Sequence, residues 1–157
     1  MFKIGDKVVY PMHGAGTIEN IEERTVLGEV RRYYILRIAH GNMQVMVPVD
    51  GSDQAGLRTI CDPSVLDEVL SVLRAESTPM DDNWNRRNRD NMEKLKTGDI
   101  MQVAAVVRNL ARIDRVKKLS TGEKKLLANA KQILSSELAF SGGRDENDIL
   151  AIIEQAI

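Results

Sequence analysis

The hydrophobic pattern changes character near Asp62, and this change constrains the fold more than any other feature of the chain. Before it, apolar and polar residues alternate as in half-buried strands, and Tyr34, Leu36 and Ile38 share one strand face. After it, apolar residues recur every three or four positions, as in amphipathic helices. The sequence therefore predicts an α+β protein, with a β-rich module in residues 1–60 followed by a helical module in residues 61–157.

Four or five short strands are predicted in the β module. Tight turns are predicted at "HGAG" (residues 13–16) and "HGN" (residues 40–42), because both segments are rich in turn-forming residues. Pro48 suits an edge strand or a strand end, because proline lacks an amide donor. Short strands joined by tight turns favour a small barrel or a strongly bent sheet. The predicted strands lie within residues 7–11, 17–23, 30–38 and 43–49.

About five helices are predicted in the second module. Asp62 is the expected N-cap of the first helix, and Asp81 or Asp82 that of the second. The segment "STGE" (residues 120–123) matches a capping box and predicts the start of the fourth. The helices are expected at about residues 62–75, 82–96, 100–118, 121–140 and 146–157.

A net charge of −1 conceals a strongly basic stretch. Residues 84–131 hold 13 basic and 5 acidic side chains, whereas residues 144–157 hold 1 basic and 4 acidic. Such a density of like charge is self-repulsive, and a polyanion would relieve it. Spacings of four and three also place Arg108, Arg112 and Arg115 on one helix face. The pattern therefore indicates a nucleic-acid partner for the helical module.

Catalytic and metal sites find little support in the sequence. His13 and His40 each adjoin a glycine, and together with Cys61 they match no zinc-ligand spacing. Phosphate-binding glycine loops and nucleophile elbows are absent. We therefore expect no enzymatic activity, no metal and no cofactor. A single cysteine, no signal peptide and no long apolar run predict a soluble cytoplasmic protein without a membrane partner.

Trp84 is the single apolar residue among residues 81–91 and the only tryptophan in the chain. One interpretation buries its ring between helices, because aromatic burial is strongly favourable. The other exposes it among Arg86, Arg87 and Arg89 as a wedge or stacking platform for a base, with the cations on flanking phosphates. The residue pattern leaves both interpretations open.

Nearly the whole chain resembles the CarD/CdnL/TRCF family of bacterial transcription regulators, in particular stand-alone CarD/CdnL proteins, and the tail after Gly143 is the least diagnostic part. No single piece is a catalytic signature, but the order and spacing of four segments together are specific. These segments are "FKIGDKVVYPMHGAGTIENIEERT" (residues 2–25), "RRNRDNMEKLKTGD" (residues 86–99), "VAAVVRNLARID" (residues 103–114) and "LSTGEKKLLANAKQILSSELA" (residues 119–139).

The resemblance implies a Tudor-like or SH3-like sheet in residues 1–60 that docks on the RNA polymerase β subunit by strand addition. It further implies a helical DNA-binding domain in residues 61–157 that acts at the upstream fork of the promoter bubble. There Trp84 would wedge into the minor groove while Arg86 and Arg89 hold the backbone, stabilising the open complex without chemistry. The implied polymerase-binding residues are Arg24, Gln44, Val45, Met46, Val47 and Pro48.

The basic stretch adds further cations to the DNA-binding residues that the resemblance implies. Two residues of the chain differ from the family pattern. Some members carry arginine at the position of Met46, and others carry lysine at that of Arg89, which changes geometry but not charge. We expect a monomer, associated with the nucleoid through the polymerase. The alternatives are an adaptor that does not touch DNA, or a small-barrel module that binds RNA or the ribosome. The expected DNA-binding residues are Trp84, Arg86, Arg87, Arg89, Arg108, Arg112, Lys124 and Lys125.

Overall fold

The N-terminal part of the protein is a five-stranded antiparallel sheet. The computed structural model describes all 157 residues. The strands lie in the order β4-β3-β2-β1-β5, so that β4 and β5 form the two edges. The α+β prediction is confirmed. The strands are β1 (Lys7–Tyr10), β2 (Gly14–Val26), β3 (Glu29–Ile38), β4 (Met43–Pro48) and β5 (Arg58–Thr59).

The core of the sheet lies on the face that the alternation predicts. Tyr34, Leu36 and Ile38 are buried, and Leu36 pairs with Ile18 on β2 and with Val45 on β4. A bulge after Ile18 interrupts the β2–β3 register, and bulges bend the strand that carries them.

Two local features differ from the sequence predictions. The turn expected at residues 13–16 lies earlier, at residues 11–13, and β2 already begins at Gly14. Met12 adopts a left-handed backbone angle in this turn, with φ of 72°. The two-residue strand β5 pairs with Val8 and Val9 and is too short to leave a periodic pattern.

Strands β2 and β3 continue beyond β4 as a two-stranded arm. Pro48, the last residue of β4, pairs with Tyr33, so the arm beyond it is formed by residues 23–32. Leu27 and Gly28 connect its strands, with positive φ of 51° and 80°. Two consecutive positive φ angles define the type I′ turn, whose twist matches that of antiparallel strands.

Five helices form the second half of the protein, as predicted. Their shared core includes Leu110, Leu134 and Ile149, all fully buried. None of the helices is both long and apolar enough to span a bilayer. The helices are α1 (Val65–Arg74), α2 (Trp84–Lys96), α3 (Ile100–Val116), α4 (Thr121–Gly142) and α5 (Glu146–Ala156).

Helix caps agree with the sequence in one case and differ in two. Ser120 Oγ accepts a hydrogen bond from the Glu123 amide at 3.3 Å, as the capping box requires. Helix α2 is capped by Asn83 rather than by a preceding aspartate. Asp62 accepts from the Ser64 amide in a turn that precedes α1, so this helix begins later than expected.

The β1–β2 turn and the start of β2 pack against the helices. Pro11 is buried, and Met12 contacts the helical core. The Ala15 amide donates to Ser136 Oγ on α4 at 3.3 Å. The sheet and the helices therefore meet over a packed, hydrogen-bonded interface.

Candidate nucleic-acid and polymerase interfaces

Trp84 is the first residue of α2, and 52% of it is exposed. The turn before it is fixed, because Asn83 Oδ1 accepts from the amides of Asn85 at 3.0 Å and Arg86 at 3.2 Å. Asp81 Oδ1 in turn accepts from the Asn83 amide at 2.8 Å. Trp84 is therefore presented to solvent from a well-capped helix end, and the interpretation that buries it in the core does not describe this structure.

Arg87 faces inward, toward α4. Its guanidinium forms a bidentate ion pair with Glu123, a buried carboxylate in the first turn of α4. The hydrogen bonds to Glu123 raise the pKa of Arg87. Arg87 therefore joins two helices, and its charge is already neutralised by a protein carboxylate.

The pair between Arg87 and Glu123 places the N-terminal turns of α2 and α4 next to each other. The first amide groups of a helix have no acceptor within the helix, and the helix dipole makes this end attractive to anions. Four exposed cations on these helices have no carboxylate within ion-pair distance. This set, called here the basic rim, consists of Arg86, Arg89, Lys124 and Lys125.

Arg108 and Arg112 are held by backbone groups inside the helical domain. Arg108 is only 3% exposed, and it donates to the Val72 carbonyl at 2.8 Å. Arg112 donates to the carbonyls of Leu73 and Ala75 at 2.9 and 2.7 Å. Both guanidinium groups thus satisfy carbonyls at the end of α1, where the dipole favours cations.

Burial lowers the pKa of Arg108, and the nearby charge of Arg112 lowers it further. The spacing of the three arginines by four and three residues along α3 therefore does not create one exposed basic face. Arg115 is the exposed member of the three, and it donates to the terminal Ile157 carbonyl at 3.1 Å. Arg87, Arg108 and Arg112 are therefore engaged by groups of the protein itself, unlike the cations of the basic rim.

The predicted polymerase-binding strand β4 is an edge of the sheet, with β3 as its only neighbour. Its residues alternate: Val47 is buried and Val45 packs on the sheet core, whereas Gln44, Met46 and Pro48 are exposed. An edge strand has unpaired backbone groups along one side. The strand therefore offers a free backbone edge beside an exposed, largely uncharged face.

A charged network anchors the first part of this face. Arg37 Nε contacts Glu19 Oε1 at 2.7 Å, and Gln44 Nε2 donates to Glu19 Oε2 at 3.2 Å. The hydrogen bonds from Arg37, and then those from Gln44, lower the pKa of Glu19. Gln44 is therefore held in place by Glu19 of β2, across the intervening strand β3.

Arg24 lies away from β4, on the arm formed by β2 and β3. It pairs with Arg31 in the strand register and forms an exposed ion pair with Glu22 at 2.7 Å. Any partner that contacts both Arg24 and β4 must therefore extend along the arm.

The histidines and the cysteine occupy structural settings. His13 stacks on Tyr10 with ring centroids 4.7 Å apart, and His40 Nδ1 lies 3.4 Å from Glu146 Oε1. Burial raises the pKa of Cys61 to about 11, and the charge of Glu137 acts in the same direction. Such a thiol stays protonated near neutral pH and is a weak nucleophile.

Comparisons with known proteins agree with the resemblance seen in the sequence. Residues 2–61 match the CarD-like/TRCF RID domain, and residues 68–154 match the CarD C-terminal domain. The chain is 40% identical over 149 residues to a Bacillus subtilis (strain 168) protein named "Putative transcription factor YdeB", covering 95% of this chain and 97% of that protein. The chain therefore belongs to the CarD-like family of transcription regulators.

Proposed function

We propose that this protein docks on the RNA polymerase β subunit through β4 and stabilises the open promoter complex through Trp84 and the basic rim. The proposal rests on one observation. Trp84 is exposed at a capped helix end, next to cations that form no ion pair within the protein. Acting with the polymerase would place the protein in the cytoplasm, at the nucleoid.

Trp84 suits a wedge because the helix turn that carries it is already fixed in the free protein. The Asn83 cap holds the first turn of α2, and the ion pair between Arg87 and Glu123 fixes that turn against α4. The backbone of this turn therefore loses little conformational entropy when the ring meets a base step. Apolar wedges insert between base steps and partly unstack them, and the cost is smallest where the bases are already unpaired.

The basic rim supplies the phosphate contacts that the wedge needs. Arg86 lies two residues after Trp84, and Lys124 lies one residue after Glu123 in the adjacent helix turn. Unpaired cations near two helix N-termini attract phosphates regardless of base sequence. The rim would thus hold the backbone while the ring distinguishes opened from closed DNA.

Strand addition is the mode of docking that the β module favours. Strand β4 is a free edge, and its exposed Gln44, Met46 and Pro48 lie on one face. A partner strand would gain backbone hydrogen bonds from such an edge and specificity from the alternate side chains. Pro48 lacks an amide donor, so it limits pairing at the end of the strand.

The test is the lifetime of the open complex on one promoter, with polymerase saturated by each variant. Base–aromatic stacking is worth about 1–3 kcal/mol, so we expect Trp84→Ala to reduce the stabilisation about 5- to 150-fold. Trp84→Phe should keep part of the effect, because a smaller ring still stacks. The melting temperature and polymerase binding of both variants should match those of the wild type.

Arg86→Ala is the matched comparison, because phosphates are present in both closed and forked DNA. It should weaken binding to both forms evenly, whereas Trp84→Ala should act on the forked form alone. A wild-type open-complex lifetime with Trp84→Ala would refute the wedge. Preference for structured RNA over forked promoter DNA in a competition assay would instead favour a small-barrel RNA-binding module.

A further inference from the structure

A partly buried ion pair joins the two domains. Glu137, in the C-terminal third of α4, is 1% exposed, and Arg58, whose side chain is 32% exposed, reaches it from strand β5. The contact is bidentate, with Arg58 Nη1 2.8 Å from Oε2 and Nη2 2.7 Å from Oε1. Arg58 is the first residue of the edge strand β5, so this pair ties the sheet directly to the helices.

The same two side chains hold further parts of the chain. Glu137 Oε2 also accepts from the Cys61 amide at 3.0 Å, in the segment that connects the domains. Arg58 Nε donates to the Gly98 carbonyl at 2.8 Å, in the short connection that follows α2. One ion pair therefore links β5, the interdomain segment, α4 and the end of the helix that begins with Trp84.

The surrounding packing leaves little freedom for the domains to slide. Met12 from the β1–β2 turn contacts the helical core, and Pro11 lies against Gly98. A Cβ atom built on Gly98 would lie 3.0 Å from Pro11 Cγ, closer than ordinary van der Waals contact. The backbone of the α2–α3 connection thus approaches the β1–β2 turn more closely than a residue with a side chain would easily allow.

An ion pair that buries a carboxylate and much of an arginine side chain is poorly explained by stability alone. Apolar residues of similar volume often replace such a pair without loss of stability, because removing two charges from water is costly. What apolar contacts lack is direction, whereas a bidentate pair satisfies its hydrogen bonds in one arrangement. The Arg58–Glu137 pair is therefore suited to fixing an orientation.

We infer that Arg58 and Glu137 are positioning residues that fix the angle between the β module and α2. This inference rests on the function proposed above. A polymerase docked on β4 would then hold Trp84 at a set distance from the edge of the bubble. The wedge acts through a single base step, so a change of a few ångströms at Trp84 would remove its effect.

The first test measures the domain orientation in the full-length protein. Spin labels on Glu23→Cys, in the arm, and Gln102→Cys, on α3, report the interdomain distance in a Cys61→Ser background. The double variant Arg58→Met/Glu137→Leu removes both charges and should remain folded while its distance distribution broadens. Glu154→Gln is the control, because it breaks the 3.6 Å pair with Lys131 inside the helical domain and should leave the distribution unchanged.

The second test separates positioning from stability. The double variant should keep wild-type polymerase affinity, because β4 is untouched. Its stabilisation of the open complex should fall nearly as far as that of Trp84→Ala. For Trp84→Ala we expect a loss of about 5- to 150-fold. Should the double variant unfold, Arg58→Lys serves instead, because it keeps the charge and removes the bidentate contact.

The outcomes are distinct. A folded variant with the wild-type distance distribution, or with broadened distances and a wild-type open-complex lifetime, overturns the inference. A wild-type lifetime for Trp84→Ala overturns the proposed function itself. Broadened distances together with a shortened lifetime, at unchanged polymerase affinity and with a wild-type-like Glu154→Gln control, support the inference.

Discussion

Arg87 and Glu123 form a bidentate ion pair, with Nε 2.7 Å from Oε2 and Nη2 2.8 Å from Oε1. Glu123 is 1% exposed, and Ser120 Oγ approaches its Oε1 at 3.3 Å. The pair therefore connects the first turn that bears Trp84 to the capping box of α4. Arg87 can thus help to fix the proposed wedge in place without contacting DNA itself.

Arg87→Ala should lower the free energy of unfolding by about 3–5 kcal/mol, because it leaves Glu123 buried without a counter-charge. Urea denaturation of the full chain measures this loss. Arg86→Ala, one position earlier and exposed, should stay within about 0.5 kcal/mol of the wild type. Equal stability of Arg87→Ala and the wild type would show that the pair is not formed in solution.

DNA binding by the full chain should depend steeply on salt. Four phosphate contacts from the basic rim, each contributing about −0.9, predict a slope of log K against log salt near −3 to −4. Lys124→Ala should reduce the slope by about one contact. Lys131→Ala should leave it unchanged, because Lys131 is paired with Glu154. Titrations at several salt concentrations decide, and a flat profile would argue against phosphate contacts.

Neighbouring residues of β4 should respond differently to the same substitution. Val47→Asp should unfold the β module, because it places a charge at a site that is 1% exposed. Met46→Asp should leave the thermal melt unchanged and weaken polymerase binding, because Met46 is 43% exposed on the other face. Circular dichroism melts and polymerase pull-downs with the full chain separate the two effects. If Met46→Asp bound polymerase as well as the wild type, the polymerase would have to dock on a different surface.

Cys61 should make the protein less stable in alkali. Its folded pKa of about 11 exceeds the ordinary value of 9.0, so the folded state favours the protonated thiol. The unfolded chain loses this proton first, and stability therefore falls as pH rises from about 9 through about 11. Urea midpoints of Cys61→Ser should fall less than those of the wild type over this interval. Parallel pH profiles for the two proteins would contradict the shift.

The sequence predicted the elements better than their ends. Alternation located the four longer strands and the buried face of β3, because the period of two is tied to burial. The cap of α2 was misplaced because Asp81, Asp82 and Asn83 are all good caps, and only the folded turn selects among them. Strand β5 is defined by its pairing with β1, and two residues are too few to show an alternating hydrophobic pattern.

Charge periodicity was a poor guide to which arginines face solvent. The spacing of Arg108 and Arg112 gave the correct helix face, but that face packs against the end of α1. No sequence signal indicated that the carboxylates of Glu123 and Glu137 are buried and paired with arginines, although the capping box had marked Glu123. Their arginine partners are 36 and 79 residues away, so the pairs exist only after the chain has folded.

The free edge of β4 also affects the behaviour of the protein in concentrated solution. Natural sheets usually protect such edges with lysines or other charges, which discourage pairing with a second copy of the strand. The segment "MQVMVPV" has no charged residue, and Pro48 alone interrupts its row of amide donors. The feature that suits this strand to a partner thus makes it a template for self-association, and aggregation of the free protein should begin at β4.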